Sequence, residues 1–296
     1  MGHKESFLKY LQTEKRYSPH TIRSYGNDLD QFYSFLIQNE MPSDASQVSS
    51  HHIRSWIVSM IDNGITPASV QRKISCLRVF FKWLRKERLV TGDPLEKIVL
   101  PKRSRRLPVF VPENDLETLL DEFNFGDDFG GIRNRTIIEM LYLTGIRRAE
   151  LTGLRTIDID LSEQMIRVTG KRNKQRLIPL AGPFLVRLRE YLKARDGFFE
   201  GRENNEWLFV SDRGNKLYDK FVYNLVRKYL SMVSAIEKKS PHILRHSFAT
   251  HMLNRGASLN AIKEFLGHAN LSATQVYTHN TFDKLKKIYK QAHPRA

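Results

Sequence analysis

The sequence is poor in cysteine and has no long apolar run. Its single cysteine, Cys76, excludes a disulfide or a cysteine-based metal site within the chain, and the surrounding apolar segment KISCLRVFFKWL predicts a core position. No apolar run approaches the ~18 residues of a membrane-spanning helix. The opening MGHKESFLKYL also lacks the apolar centre of a signal peptide. We therefore expect a cytoplasmic protein that does not insert into membranes.

Acidic residues are also few relative to basic ones. The chain has 48 Lys and Arg against 32 Asp and Glu, a formal charge of +16. Residues 1–106 carry 18 basic and 10 acidic side chains and residues 107–296 carry 30 and 22, so each part contributes +8. A basic tail would concentrate this charge, whereas here both parts of the chain hold it. The excess indicates a polyanionic partner.

The first hundred residues predict an all-α module. Four segments have helical patterns, and two of them begin with Ser18-Pro19 and Thr66-Pro67, which is typical of a helix start. The prediction is a helical domain over residues 1–104. The segments are KESFLKYLQTEKR, SPHTIRSYGNDLDQFYSFLIQN, SSHHIRSWIVSMIDNG and TPASVQRKISCLRVFFKWLRKERL.

The composition of the sequence changes after residue 100. The stretch from Pro101 to Pro112 is basic and proline-rich, which predicts an extended linker, with 105–110 as its centre. Residues 111–296 then mix helical patterns with two strands around the basic turn Gly170–Lys174. EWLFVS predicts one more short strand. This predicts a second domain of mixed α/β type, mainly helical, with a small antiparallel sheet.

One segment concentrates unusual side chains. SPHILRHSFATHMLNRG contains three histidines and an arginine, with Ser240 as a helix N-cap and Gly256 at its end. Zinc is disfavoured because no glutamate lies between His242 and His246, as it does in His-Glu-x-x-His, and a nearby arginine would repel a divalent cation. We expect His246 and His251 to cap and pack the helix.

Phosphoryl transfer without a metal needs cations, a proton donor and a nucleophile. Guanidinium groups neutralise the charge on a pentacoordinate phosphorus, and a covalent mechanism needs a nearby nucleophile. The chain has an arginine at each of two helix starts, a lysine in a hairpin turn, a histidine after a helix-ending glycine and a tyrosine nine residues later. These are Arg147, Arg245, Lys171, His268 and Tyr277, with His242 three residues before Arg245.

These residues occur in motifs that resemble the tyrosine recombinase (phage integrase) family, in particular its Xer branch. The motifs are TGIRRAEL, GKRNKQRLIPL, HILRHSFATHML, LGHANLSATQVYTH and, near the start, SPHTIRSYGNDLDQF. The resemblance extends over essentially the whole chain. It implies a two-domain clamp around DNA: an all-α, SAM-like core-binding domain and a mixed α/β tyrosine recombinase catalytic domain.

The resemblance implies a role for each site residue. Arg147 and Arg245 bind the scissile phosphate, and His268 donates a hydrogen bond to it. His242 assists proton transfer at the tyrosine. Lys171 is the general acid toward the 5′ oxygen, and Tyr277 attacks to form a 3′-phosphotyrosyl bond. No cofactor and no metal is implied, since the phosphotyrosyl bond conserves the energy of the phosphodiester.

Two positions have neighbours that could take the same role. Arg148 follows Arg147 directly, and the family pattern selects Arg147 because it comes immediately after Thr-Gly-Ile. Lys174 shares the hairpin turn with Lys171, and the pattern selects Lys171 because it follows Gly170.

The implied reaction is conservative site-specific recombination through a Holliday junction. Its partners are a double-stranded DNA site, a homo- or hetero-tetramer with a related recombinase, and an FtsK-type DNA translocase. Chromosome dimer resolution is the favoured role. The alternatives are a mobile-element integrase, a type IB topoisomerase-like relaxase and a non-catalytic architectural DNA-binding protein. The sequence fixes neither the DNA site nor the side chains that read it.

The last segment predicts a short amphipathic helix at about 281–293. Phe282, Leu285 and Tyr289 have helical spacing, with Ile288 beside them. Such a helix is too short to be stable alone, so it must dock on its own domain or on another protomer. Relatives pass this helix to a neighbour, which predicts an exchange element.

Overall fold

The computed structural model describes residues 3–102, 109–170, 173–200, 206–267 and 279–296, with the side chains of 279–284 excepted. The chain divides into two compact units, Met1–Arg106 and Leu107–Ala296. We call them the N-terminal unit and the C-terminal unit. None of the described helices has the length and apolar character needed to cross a membrane.

The N-terminal unit is all-α in its described residues, as predicted. Two of its helices begin with an N-cap hydrogen bond followed by proline: the hydroxyl of Ser18 accepts from Thr21 N at 3.2 Å, and that of Thr66 accepts from Ser69 N at 3.4 Å. These side chains satisfy backbone N–H groups that a helix start leaves without partners. The helices are α1 (Lys4–Thr13), α2 (Pro19–Gln38), α3 (Ser50–Asp62) and α4 (Pro67–Lys86).

Aromatic rings dominate the core of this unit. Phe80 lies at its centre and packs on Phe7 with ring centroids 5.1 Å apart and on Trp83 at 6.2 Å. Phe32 packs on Trp56 at 5.0 Å, which joins α2 to α3. Cys76 is fully buried on α4, as its apolar surroundings predicted.

The C-terminal unit combines helices with one small sheet. Its helix α6 is buried on nearly all sides and packs against α8, α9 and α10, so the core surrounds it. The helices are α5 (Glu113–Glu117), α6 (Phe129–Thr144), α7 (Arg148–Thr152), α8 (Gly182–Phe198), α9 (Asp219–Val233), α10 (Pro241–Asn254), α11 (Leu259–Leu266) and α12 (His279–Ala292).

The sheet is antiparallel, as predicted, and follows the order β1 (Ile159–Asp160), β2 (Met165–Thr169) and β3 (Gln175–Pro179). Ile166 pairs with Ile178, so the apolar positions of β2 and β3 share a buried face. The short strand β1 was not predicted, because two residues give no alternating pattern.

One local prediction in this unit is wrong. EWLFVS is not a strand of the sheet: it forms isolated bridges through Trp207 to Arg155 and through Val210 to Lys216. Its tertiary neighbours, and not its local pattern, decide the backbone there. The segment VPENDLETLLDEF is helical, with α5 followed by a π-helical turn over Thr118–Glu122.

The last helix, α12, packs on its own unit in this single chain. It lies against α10 and β3, and Leu285, Tyr289 and Ala292 are buried there. Beyond the helix, both terminal nitrogens of Arg295 donate to the Asp121 carboxylate at 2.6 Å. Leu285 and Tyr289 of the predicted apolar stripe therefore belong to a docking face, while the side chain of Phe282 lies outside the described residues. Exchange between protomers remains a prediction.

Candidate active site

The site begins where α6 ends and α7 starts. Gly145 ends α6 with a φ of +58°, a left-handed conformation that glycine adopts without strain. A Cβ at this position would also lie 2.6 Å from Cδ1 of Phe248. The turn places Arg147 at the N-cap of α7 in an extended conformation. Its side chain is about half exposed, at 45%.

Glu150 fixes the orientation of Arg147. One carboxylate oxygen accepts from the Arg147 backbone N–H and the other from its Nη1, both at 2.8 Å. The Glu150 side chain is buried, at 5% exposure. The guanidinium is therefore held by a buried carboxylate, and among the described residues Glu150 is the only hydrogen-bond partner of its side chain, although a guanidinium has five N–H donors.

A second arginine reaches the same carboxylate from the sheet. Arg176 on β3 donates from Nη1 and Nη2 to the two oxygens of Glu150, at 3.1 and 2.8 Å. Burial alone would raise the pKa of Glu150, but the hydrogen bonds and charges of Arg176 and Arg147 outweigh it and hold that pKa below its ordinary value. Glu150 is therefore an anion at neutral pH.

Arg245 is buried within the same region. Its Nη1 donates to the carbonyl of Gly145 at 2.6 Å and its Nη2 to the carbonyl of Leu266 at 2.7 Å. Burial, and then the neighbouring charges of Arg147 and Arg176, lower its pKa to about 10. Arg245 thus stays charged at neutral pH, and the neighbourhood carries surplus positive charge.

The three histidines of α10 have different environments. His242 is an exposed residue. The partial burial of its ring has the largest effect on its pKa and lowers it, and interactions with His246, Arg245 and Arg147 lower it further. Its imidazole is therefore neutral at neutral pH and able to accept a proton. His251 is buried and its Nδ1 lies 2.9 Å from the Tyr142 hydroxyl, as expected of a packing residue. His246 is exposed, so the expectation that it packs the helix is wrong; its ring lies 4.6 Å from that of His242.

Ser240 takes the expected N-cap place of α10 but makes no side-chain cap hydrogen bond. The chain turns after Asn254, and Gly256 has a φ of +87° there, as its place at the helix end predicted. The helix therefore begins with a buried proline, Pro241, and without the hydrogen bond expected from the Ser240 hydroxyl.

The hairpin between β2 and β3 ends beside these charges. Gly170 N donates to the Lys174 carbonyl at 2.7 Å and closes the turn. A Cβ added at Gly170 would lie 3.2 Å from Glu150 Oε1, so the hairpin backbone passes directly against this carboxylate. Lys174 is exposed. Lys171 lies outside the described residues, so the choice between it and Lys174 stays open.

His268 and Tyr277 also lie outside the described residues. The described residues immediately before His268 form the end of α11: Gly267 is its C-cap, and the Leu266 carbonyl accepts a hydrogen bond from Arg245. Of the six predicted site residues, Arg147, His242 and Arg245 are described, and the structure brings them together. Arg148 instead turns to Asp219, 3.0 Å away, at 39% exposure.

Glu150 and Arg176 were not among the predicted site residues, although the position of each in the sequence indicates its contacts. Glu150 stands three residues after Arg147, the spacing by which an N3 carboxylate reaches back to an N-cap N–H. Arg176 alternates with Ile178 and so occupies an inward position of a strand, where an unpaired charge would be costly. Together the described groups form a cationic, hydrogen-bonding site suited to a phosphate.

Comparison with known proteins agrees with this chemistry. The model of the phage integrase family matches residues 110–284, and that of the phage integrase N-terminal SAM-like domain matches residues 5–88. The tyrosine recombinase XerC of Pelotomaculum thermopropionicum is 39% identical over 302 residues, covering 99% of this chain and 98% of that protein. XerC of Chlorobaculum parvum is 37% identical over 316 residues, covering 99% and 94%.

A solved structure supports the fold. The crystal structure of a XerH site-specific recombinase bound to palindromic difH substrate, in a post-cleavage complex, has a TM-score of 0.71 to this chain. The two share 23% identity over 96% of this chain and 83% of the other. The predicted fold class, a SAM-like helical domain followed by a tyrosine recombinase domain, is confirmed. The chain belongs to the phage integrase family and is a site-specific tyrosine recombinase of the Xer type.

Proposed function

We propose that the C-terminal unit cuts and rejoins double-stranded DNA through a covalent bond to Tyr277, while the N-terminal unit binds the same DNA. The observation that carries this proposal is the meeting of Arg147 and Arg245. Arg245 donates to the Gly145 carbonyl, two residues before Arg147, and Glu150 accepts a hydrogen bond from Arg147 Nη1 at 2.8 Å. Two anchored guanidinium groups at one place are suited to a single phosphodiester.

In the proposed reaction the Tyr277 oxygen attacks the scissile phosphorus and the bond to the 5′ oxygen breaks. His242 accepts the tyrosine proton, and Lys171 donates a proton to the departing 5′ oxygen. Arg147, Arg245 and His268 neutralise the charge that develops on the non-bridging oxygens. A 5′ hydroxyl from the partner duplex then attacks the phosphotyrosyl bond, which releases Tyr277 and joins the strands.

A free tyrosine has a pKa near 10, so attack at neutral pH needs help from the site. The lowered pKa of His242 supports its proposed role as the proton acceptor, because a neutral imidazole is able to take up the tyrosine proton. The arginines that lower the pKa of His242 also favour an oxyanion next to them. The same charges therefore keep the base neutral and stabilise the nucleophile.

The covalent step is tested with a nicked suicide substrate that traps the cleaved strand. We expect the wild-type protein to form a covalent adduct and Tyr277→Phe to bind DNA with unchanged affinity but form none. An adduct at the wild-type level in the Phe variant would place the nucleophile at another tyrosine. Binding should also weaken steeply with salt, with a log–log slope of several units.

We further propose that the reaction resolves chromosome dimers in the cytoplasm, where its DNA lies, together with a related recombinase or as a homo-tetramer, and under an FtsK-type translocase. The similarity to XerC proteins along nearly the full chain supports this role. Sequencing the DNA trapped on the protein in cells tests it. One chromosomal site would support dimer resolution, whereas the ends of a mobile element would identify an integrase.

We also propose that α12 passes to a neighbouring protomer in the assembled complex. Leu285 and Tyr289 bury its apolar stripe on the chain's own unit, and the same stripe is what a neighbour would have to cover. A chain that ends at Asn280 is expected to bind one half-site and to lose cooperative assembly on a full site. Recombination by the truncated chain at the full-length rate would rule out exchange.

A further inference from the structure

Arg176 uses its whole guanidinium group to join three elements. Nη1 and Nη2 bind the carboxylate of Glu150 on α7, while Nε donates to the Phe265 carbonyl at the end of α11, at 2.7 Å. The side chain itself comes from β3 and is 5% exposed. It is therefore placed too deep to serve as a surface contact for DNA.

The end of α11 is held by two arginines at consecutive carbonyls. Arg176 binds the carbonyl of Phe265 and Arg245 binds that of Leu266, at 2.7 Å each. The last carbonyls of a helix have no partners within the helix, and cations near them are favourable. The next residue, Gly267, lies so close to Arg176 that an added Cβ would be 3.1 Å from its Cδ.

Through the carboxylate of Glu150, Arg176 also affects the position of Arg147. Glu150 accepts from both arginines, so the position of the carboxylate that holds Arg147 depends on Arg176. Arg176 thus hydrogen-bonds both Glu150 and the last turn of α11. In the sequence, Arg147 lies three residues before Glu150, and His268 lies three residues after Phe265.

We propose that Arg176 is a positioning residue, which sets the separation between Arg147 and the end of α11 so that groups from both meet one phosphate. This inference rests on the proposed function of the site. Arg176 contacts no substrate in this scheme and acts only through Glu150 and the α11 carbonyl.

The geometry requires arginine and not merely a positive charge. A guanidinium presents its donors in a rigid planar fork, so it binds a carboxylate with two nitrogens and a carbonyl with the third. A lysine ammonium at the same place would neutralise Glu150 but could not hold both partners in fixed directions. Charge and positioning are therefore separable by Arg176→Lys.

The first test compares Arg176→Lys with Arg133→Lys. Arg133 is a matched control because it is equally buried and also joins an acidic side chain and a carbonyl, those of Asp212 and Val210. For Arg176→Lys we expect half-site affinity within about twofold of wild type and cleavage of bound DNA slower by about 10²-fold, the effect of a misplacement near 1 Å. Arg133→Lys should leave the cleavage rate unchanged.

The second test is the pH profile of cleavage in Arg176→Met. Glu150 faces Arg147, Arg176 and Arg245, and loss of Arg176 removes its main hydrogen-bonding cation. Its pKa should rise, so the acidic fall in cleavage rate should begin at a higher pH in this variant than in wild type, where protonation of His242 also slows cleavage. A merely structural role would lower stability without moving this profile.

Three outcomes would overturn the inference. Cleavage by Arg176→Lys at the wild-type rate would show that charge alone suffices. A fall of rate and affinity in parallel with stability, seen in Arg176→Lys and Arg133→Lys alike, would show a structural role. An unmoved pH profile in a folded Arg176→Met would exclude the link to Glu150. Failure of the wild-type protein to form any covalent adduct would refute the proposed function itself and is a separate result.

Discussion

Each unit buries one carboxylate between two cations, and the two clusters serve different ends. In the N-terminal unit, Asp28 on α2 binds Arg72 and, at 3.1 Å, Lys73. In the C-terminal unit, Glu150 binds Arg147 and Arg176. Each carboxylate is nearly inaccessible, and each has one buried cation and one that is about half exposed.

The difference lies in how many elements each cluster joins. Both partners of Asp28 come from α4, so that cluster fixes one pair of helices. The partners of Glu150 come from the start of α7 and from β3, and Arg176 extends the contact to α11. The same electrostatic device thus stabilises packing in one unit and assembles a site in the other.

The largest expected effect is on stability and tests this comparison directly. Asp28→Ala and Glu150→Ala each leave a buried cation without its partner, so each should cost about 3–5 kcal/mol of unfolding free energy. Only Glu150→Ala should also slow the cleavage of bound DNA. Denaturant unfolding gives the stability of both variants, and single-turnover cleavage gives their rates. If Asp28→Ala also slowed the cleavage of bound DNA, the proposed difference between the two clusters would be refuted.

Arginines in and beside the two clusters sharpen the comparison. Arg147→Ala and Arg245→Ala should each reduce the cleavage rate by about 10²–10³-fold, or roughly 3–4 kcal/mol, with little change in affinity. Arg72→Ala, the matched change in the N-terminal unit, should leave the cleavage rate of bound DNA intact. Single-turnover cleavage at saturating protein separates rate from affinity.

Arg148→Ala is the control for the choice between the adjacent arginines. Its partner Asp219 is half exposed, so their pair adds little. This variant should cut normally. An essential Arg148 beside a dispensable Arg147 would refute the assignment of the phosphate-binding arginine.

The units should also differ in their response to acid. Burial lowers the pKa of His293 to about 3, whereas an unfolded histidine titrates near 6.5. Between these values the unfolded chain binds more protons, so stability falls as pH drops below about 6.5, by up to about 1.4 kcal/mol per pH unit for this residue. His251, whose pKa burial also lowers, acts in the same direction.

The measurement is the unfolding free energy against pH for His293→Phe and for His51→Phe. The first variant removes the titration while keeping a ring beside Tyr289, so its curve should be flatter than that of wild type. His51 is exposed in the N-terminal unit, and its replacement should leave the curve parallel to wild type. Equal slopes in all three proteins would contradict the assignment.

The smallest expected difference concerns two serines at helix starts. Ser18→Ala removes a hydrogen bond to Thr21 N and should cost about 1 kcal/mol, whereas Ser240→Ala removes none and should cost much less. Thermal or denaturant unfolding resolves the two. Equal losses would mean that Ser240 also caps its helix in solution.

The sequence by itself determined the features that depend on local pattern and composition. Helical periodicity and Ser-Pro or Thr-Pro starts located α2 and α4, alternation around a basic turn located β2 and β3, and the charge excess indicated a polyanionic partner. The family motifs also selected Arg147, His242 and Arg245, which the fold brings together. The roles of these three, like those of Lys171, His268 and Tyr277, remain predictions.

Only the tertiary structure decided which charges are shared. Glu150 and Arg176 are 26 residues apart, and nothing local indicates that they bind each other or that Arg176 also reaches Phe265. The same limit explains EWLFVS, which within the described residues forms isolated bridges to Arg155 and Lys216 and no strand of the sheet, and His246, which is exposed on its helix. A sequence pattern reports what one segment prefers, whereas buried ion pairs and strand pairing depend on which distant segments the fold brings within hydrogen-bonding distance.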